Sequence, residues 1–387
     1  TVVLTASAGT MAAADGSGVV VTGTGTSALI LVGTAAAIDT YLNTASAVQY
    51  TGAQDAAGTA AATLTLTGND GSGEVAFGTV NIDITNVNDA PVLTGLDAIT
   101  FAENTVNAAP QLLDVDVTFT DVEGNFDGGT LSLSGLLAED TVSVRNQGIS
   151  AGEIGVDGAN VSYGNVVIGV LAGGVGADLT ITFNAAASSA SIDALIQNLS
   201  YANASDTPTT SRELLLNVTD AAGADFGPGA GDDSFAAWSG TNPLNGIHGV
   251  ALTVTINPEN DALVVTGLPS TVTVTEDLAS DLDLPALTLS DVDLTDVLTV
   301  VLTASAGTMA ATDGTGVVVT GTGSAALTLV GTAAAIDTYL NTASAVQYTG
   351  AQDVFGTAAA TLTLTGDDGS GEVTFGTISV NLTEVTD

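Results

Sequence analysis

The sequence predicts an all-β chain of tandem β-sandwich domains, each crossed by one short helix, and three observations carry that prediction. Short segments alternate apolar and hydroxyl residues along the chain: Thr63–Thr67 (TLTLT), Leu131–Ser134 (LSLS), Thr180–Phe183 (TITF), Leu214–Val218 (LLLNV) and Thr253–Ile256 (TVTI). Period-two patterning of this kind, broken by Gly, Asn and Asp, reads as antiparallel strands joined by tight turns, and its regular spacing favours sandwiches. The composition agrees, because 45% of residues are hydrophobic but only 4% aromatic. A core of small and β-branched side chains suits pleated sheets. Finally, the end of the chain repeats its beginning. Thr1–Asp89 and Thr299–Asp387 align without a gap, with about four positions in five identical, as expected of a modular array.

One helical signal recurs. Ala35–Asn43 (AAAIDTYLN), Ala190–Asn198 (ASIDALIQN) and Ala333–Asn341 (AAAIDTYLN) place Ile and Leu at helical spacing, and each leads into an apolar-x-Tyr pair. These pairs are Val48/Tyr50, Leu199/Tyr201 and Val346/Tyr348. The pattern predicts a short helix across one end of each sandwich, then a strand whose Tyr packs inward. Ile38, Leu42, Ile192, Leu195, Ile336 and Leu340 are therefore expected in the core.

Two related segments, Asn86–Pro91 (NVNDAP) and Pro258–Leu263 (PENDAL), mark domain boundaries, and Glu384–Asp387 (EVTD) stands at the equivalent place. The expected domains are 1–89, 90–261 and 262–387. Thr1 corresponds to Thr299, so the counterpart of 262–298 is missing from the first domain, and the chain reads as a window on a longer repetitive protein. The middle domain is longer, with much of the excess in the Gly/Pro/Asp-rich stretch 223–248, which holds Trp238 and His248.

Charge narrows the function. Forty-three Asp and Glu face two basic residues, Arg145 and Arg212, for a net charge of −41. Nucleic acid is excluded as a natural partner, because phosphate binding needs Lys and Arg to displace counterions, and anionic membrane surfaces are disfavoured. Such a surface attracts cations instead, and self-repulsion on this scale penalises a compact state unless something neutralises it. The alternative is a salt-adapted acidic surface without specific sites. With no cysteine, an extracellular chain must be stabilised by packing, metal or assembly. No apolar run approaches the roughly 20 residues of a membrane span, so no membrane insertion is expected.

Several elements recur together at the boundaries. After each linker comes an extended segment bearing Glu103 (FAENT) or Glu276 (VTEDL), then an acidic cluster, Asp121-Val-Glu123 or Asp291-Val-Asp293. A late acidic turn closes each unit, at Asp220 and at Asp367-Asp368-Gly. With the NDAP linker, this set resembles the cadherin-like (Ig-like β-sandwich) tandem repeats of giant secreted bacterial surface proteins and RTX-type adhesins. The resemblance implies calcium (Ca2+) at domain junctions, and calcium does take six to eight hard oxygen ligands. Carried over, the first junction would use Asn88, Asp89, Asp121, Glu123 and Asp220. The second would use Asn260, Asp261, Asp291, Asp293 and Asp367 or Asp368, helped by Glu103 from the preceding domain. Glu276 and Asp387 would serve a third. Glu123 replaces the second Asp of the cluster, which leaves the number of ions per junction open. The competing reading is that Asn-Asp and Asp-Gly are simply turn formers.

Catalysis finds little support. There is no Cys or Lys, the single His lacks a recognisable partner pattern, and a chance carboxylate pair is expected among 43 acids. Glycine-rich stretches such as Gly23-Thr-Gly25 lead to no phosphate-binding helix or Lys. The expected function is a structural segment of a secreted bacterial surface or matrix protein, an adhesin extender stiffened by calcium between neighbouring repeats. Two alternatives stand beside it: a subunit that self-associates into an extracellular filament or surface layer, and a glycan-binding module using Trp238 in the 223–248 insertion.

Overall fold

A computed structural model describes residues 1–225, 249–293 and 296–385. The chain is all-β, and the described strands pair only within three groups, spanning 2–84, 92–257 and 264–383. Each group has its own hydrophobic cluster. Alternation drives this arrangement, since successive side chains of a strand point to opposite faces and the Leu, Ile and Val of each TLTLT-like run collect on one side. In Thr130–Ser134, for example, Leu131 and Leu133 are buried while the hydroxyl residues between them are half-exposed.

The third group shows the architecture most plainly. A six-stranded sheet runs in the order Thr271–Thr275, Val373–Thr383, Gly356–Asp367, Leu298–Ala304, Ala326–Gly331, Val317–Thr320. It faces a three-stranded sheet made of Ser280–Asp281, Val346–Thr349 and Thr308–Ala311. Leu302, Leu329 and Leu362 from the larger sheet meet Met309 and Tyr348 from the smaller in one core, which makes a sandwich. The middle group enlarges the plan to eight strands against three, with Tyr201 and Val142 of the small sheet packed against Leu131 and Leu214 of the large one.

Most pairings are antiparallel, and two parallel ones matter for function. Ile99–Ala102 runs beside Val250–Asn257 with Ala102 opposite Asn257. Thr271–Thr275 runs beside Val373–Thr383 with Thr275 opposite Thr383. In both cases the first long strand of a unit leaves the sheet where the last strand leaves it. The residues that follow, Glu103 and Glu276, therefore arrive beside the linker to the next unit.

The predicted crossing helices form as α1 (Ala35–Leu42), α3 (Ser189–Ile196) and α4 (Ala333–Leu340), with α2 (Glu103–Ala108) an addition between them. Each crossing helix has a side-chain N-cap, from Thr34, Ser188 or Thr332, which satisfies a backbone N–H that the first turn leaves unpaired. The Tyr residues pack inward as expected: Tyr201 and Tyr348 are fully buried.

Two expectations are corrected. Leu42 is exposed, whereas Ile38, Ile192, Leu195, Ile336 and Leu340 are buried; in the third group Thr288–Ser290 packs on the helix that carries the equivalent Leu340. The middle group carries α2 as well as α3, so FAENT is extended only through Ala102 and turns helical at Glu103. Ala102 offers no side-chain cap, and the turn is held instead by burial of Val106 and by Asn107 Nδ2 donating to the Ser205 carbonyl at 3.1 Å.

Candidate metal-binding junctions

The first junction is built from the linker and three loops of the middle group. Asn88 Nδ2 donates to Asp220 Oδ2 at 2.6 Å, and Asn125 Nδ2 donates to Asn88 Oδ1 at 3.2 Å. The N–H of Asp89 donates to Glu123 Oε2 at 3.2 Å. Asp121 Oδ1 accepts from the Gly124 N–H at 2.6 Å, the tight turn that brings Asp121 and Glu123 onto one side. Asp220 is buried and its Oδ1 accepts from the N–H groups of Ala222 and Ala224. All five residues predicted for this junction thus meet there.

The second junction repeats the plan. The N–H of Asp261 donates to Asp293 Oδ2 at 2.8 Å, and that of Asp293 to Asp291 Oδ1 at 2.9 Å. Leu263 N–H donates to Asp368 Oδ2 at 3.0 Å. Across the parallel strand pair, Glu103 Oε2 accepts from the Glu259 N–H at 3.0 Å, and Glu259 Oε2 accepts from the Asn104 N–H at 3.2 Å. Of the two candidates in the late turn, Asp368 faces the linker. Asp367 instead accepts from Gly369 and Gly371 within its own turn. Asn260 is exposed, and its amide donates to the carbonyl of Asp261. At the third position Glu276 Oε1 accepts from the Val385 N–H at 2.7 Å, the same contact Glu103 makes with Glu259. Asp387, Trp238 and His248 lie outside the described residues.

What hydrogen bonds leave over is the more telling part. Glu103 Oε1, Asp121 Oδ2, Asp261 Oδ2, Glu276 Oε2 and Asp291 Oδ2 are buried and make no hydrogen bond. A buried polar atom without a partner costs about 1–3 kcal/mol, and more when charged. Burial raises the pKa of Glu103, and the nearby charges of Asp261, Asp293 and Asp206 add to it against the Glu259 N–H. Burial likewise raises Asp121, with Glu123 and Asp220 contributing repulsion. It raises Asp261 beside Asp206, Asp293 and Asp291, and Asp291 beside Asp293, Asp368 and Asp296. Asp206, in the loop after Leu199–Asn203, is a member that sequence reasoning missed. No local motif marks it; only the fold brings it beside Glu103.

Neither arginine relieves this charge. Arg212 pairs with Glu139 at 2.9 Å and Asp140 at 3.2 Å, and lies over the Tyr201 ring, whose hydroxyl donates to Asp140. Arg145 Nε donates to Asn198 Oδ1 at 2.8 Å. Among the described residues no three His, Asp or Glu side chains are placed so that together they could hold a metal ion. Glu103, Asp121, Glu276 and Asp291 each turn one oxygen to a backbone N–H and leave the other without a hydrogen bond, whereas Asp220 and Asp368 have both oxygens hydrogen-bonded. The orphaned members are hard carboxylate oxygens without a counter-charge, the ligand type that calcium takes six to eight of.

No protein-family model and no curated protein matches the chain. Among solved structures, the C-terminal domain of the Streptococcus agalactiae AgI/II polypeptide BspA is 11% identical, covering 66% of this chain and 84% of its own, with a TM-score of 0.20. The C-terminal domain of the Streptococcus pyogenes antigen I/II-family protein AspA is 9% identical over 76% of this chain and all of its own, TM-score 0.20. A chimeric titin Z1Z2 is 9% identical over 78% of this chain and all of its own, TM-score 0.18. Scores this low carry no argument, and the fold stands on the strand pairing and cores described above. No described helix is long and apolar enough to cross a membrane, which says nothing of a β-barrel.

Proposed function

We propose that this chain is a structural segment of a bacterial surface or matrix protein, in which calcium at the interdomain junctions stiffens a string of β-sandwiches. The observation that carries the reading is the set of five buried carboxylate oxygens without partners, all on the residues that follow or face a linker. Asp121, Glu123, Asp220, Asn88 and Asp89 would hold an ion at the first junction. Glu103, Asp261, Asp291, Asp293 and Asp368 would do so at the second, and Glu276 would contribute to a third. The ion supplies positive charge and oxygen coordination where the chain offers neither Lys nor Arg.

The chain's own residues do the rest. Parallel pairing of the first and last strands delivers Glu103 from one unit to the linker, while Asp293 and Asp368 reach the same linker from the next. Without a cation these groups repel and the linker bends freely; with one, both units share its coordination. Stiffness then follows calcium concentration. Small-angle scattering of the full chain tests this directly. The account expects a longer maximum dimension and a narrower conformer distribution in calcium than in chelator. Identical profiles in the two buffers would overturn it.

A further inference from the structure

The chain has no lysine, which removes a common means of blunting the edge of a β-sheet. Its large sheets nevertheless end in strands made to pair. On the corresponding side of each group the outermost strand is Val19–Thr22 (VVVT), Ile154–Asp157 (IGVD) or Val317–Thr320 (VVVT). Two of the three carry no charge, none contains Pro, and β-branched residues dominate. An edge of this kind offers its backbone N–H and C=O groups to any second strand.

In this chain its own side chains take those groups. In the middle group Gln147 acts on Ile154: its N–H donates to the Ile154 carbonyl at 2.7 Å, and its Oε1 accepts from the Ile154 N–H at 3.0 Å. Asn146 does the same for Val156 with a single amide, Oδ1 accepting from the Val156 N–H at 3.3 Å and Nδ2 donating to the Val156 carbonyl at 3.1 Å. One side chain thus makes both bonds that an added strand would make. The other two groups use an acid. Asp15 Oδ1 accepts from the Val21 N–H at 2.7 Å, and Asp313 Oδ1 from the Val319 N–H at 2.8 Å. Gly16 and Gly314 exchange backbone bonds with Val19 and Val317 beside them. The small sheets are closed as well. Residues 24–26 bond Met11 and Ala13, residues 322–324 bond Met309 and Ala311, and the Gly174 carbonyl accepts from the Val142 N–H at 2.7 Å.

We propose that Asn146, Gln147, Asp15 and Asp313 lock this side of the array against strand pairing with a second copy of the chain. Three groups of different size reach the same result with different residues, Asn and Gln in one and Asp in two. What is common to them is the open row of backbone groups that each set fills. The locks let uncharged, Val-rich strands stand at the rim of a repetitive protein without joining neighbouring copies edge to edge on this side. The opposite edge carries the parallel strands that lead to the junctions, and the proposal does not extend to it. Nor does it depend on calcium, so its test is run in chelator.

The test compares the full chain with its Asn146→Ala/Gln147→Ala double variant, dilute and concentrated, in about 1 M salt, where charge is screened beyond about 3 Å. Sedimentation reads association and hydrogen exchange reads the edge. Both residues are exposed and outside the core, so the variant keeps the fold. When dilute it should be monomeric, with the amides of residues 154 and 156 exchanging about fivefold faster or more, since each has lost its acceptor. When concentrated it should associate, and the same two amides should regain protection; the parent chain should stay monomeric throughout. Asn146→Asp alone keeps the acceptor for Val156 and should behave as the parent. If the double variant loses protection at 131–133, and with it the fold of the middle group, Asp15→Ala with Asp313→Ala puts the same question to the other two groups, with residues 21 and 319 as reporters. A folded variant that stays monomeric when concentrated, or associates with its reporter amides still unprotected, would overturn the proposal. So would a parent chain that associates as readily as the variant.

Discussion

Replacing Glu103 by Gln separates a buried structural carboxylate from a metal ligand, because the two roles give opposite signs in chelator. Glu103 is 1% exposed. One of its oxygens accepts from the Glu259 N–H and the other has no hydrogen-bond partner, with Asp206, Asp261 and Asp293 as charged neighbours. Gln keeps the acceptor for Glu259, removes the charge and puts an amide N–H where the orphan oxygen stood. Removing a buried charge that has only like-charged neighbours is worth about 1–2 kcal/mol. At roughly 2–4 °C per kcal/mol for a domain of this size, Tm in chelator should rise about 2–8 °C. In calcium the order reverses. A site filled at about 100 times its Kd adds roughly 2.7 kcal/mol to the native chain, and Glu103→Gln should forfeit much of it. Calorimetric melts at matched ionic strength measure both arms. A Tm that falls in chelator would refute the reasoning, since the charge would then be stabilising the metal-free junction. An unchanged calcium response would remove Glu103 from the ligand set.

Other outcomes follow from the same contacts. Glu103, Asp121, Asp261 and Asp291 all have raised folded pKa values, chiefly from burial. Each therefore binds its proton more tightly folded than unfolded. Their stabilising contribution is present below the ordinary values of 3.8 for Asp and 4.5 for Glu, and is lost as pH rises through the raised ones. In chelator, Tm should climb on acidification toward that range; in calcium it should fall, because protons compete with the ion for the same oxygens. Melts against pH in both buffers check the reversal. Arg212→Met strands the fully buried Asp140 without its cation, and should cost about 3–5 kcal/mol in denaturant unfolding of the middle group. Val80 is exposed, so Val80→Asp should change stability by no more than about 0.5 kcal/mol. Its counterpart Ile378→Asp, in a filled core, should cost about 3 kcal/mol or more, and paired denaturation curves compare them.

Local pattern was enough to read the strands and the crossing helices, because alternation and 3.6-residue spacing are short-range and the sandwich buries the face they define. The same logic misplaced Leu42. Its sequence context is identical to that of Leu340, but Leu340 is buried in a core that the segment 263–293 completes, a contact that no local pattern shows. The helix Glu103–Ala108 was hidden for a similar reason: ENTVNA has neither a capping side chain before it nor an apolar period, and docking of Val106 decides it. At the junctions, linker and acidic clusters were legible because their partners recur in order along the chain. Asp206 was not, because only the fold brings that loop next to Glu103. The choice between Asp367 and Asp368 depended on which carboxylate faces the Leu263 N–H, a distinction no spacing rule makes.

The central claim is that the junction carboxylates form specific calcium sites on the folded chain. A thermal melt of the full chain in excess calcium, in excess magnesium and in chelator, all at matched ionic strength, tests it most directly. The account predicts a rise in Tm specific to calcium, because larger, flexible all-oxygen coordination suits that ion better than magnesium. An equal rise in magnesium, or in plain salt, would mean diffuse screening of a −41 chain and would contradict it.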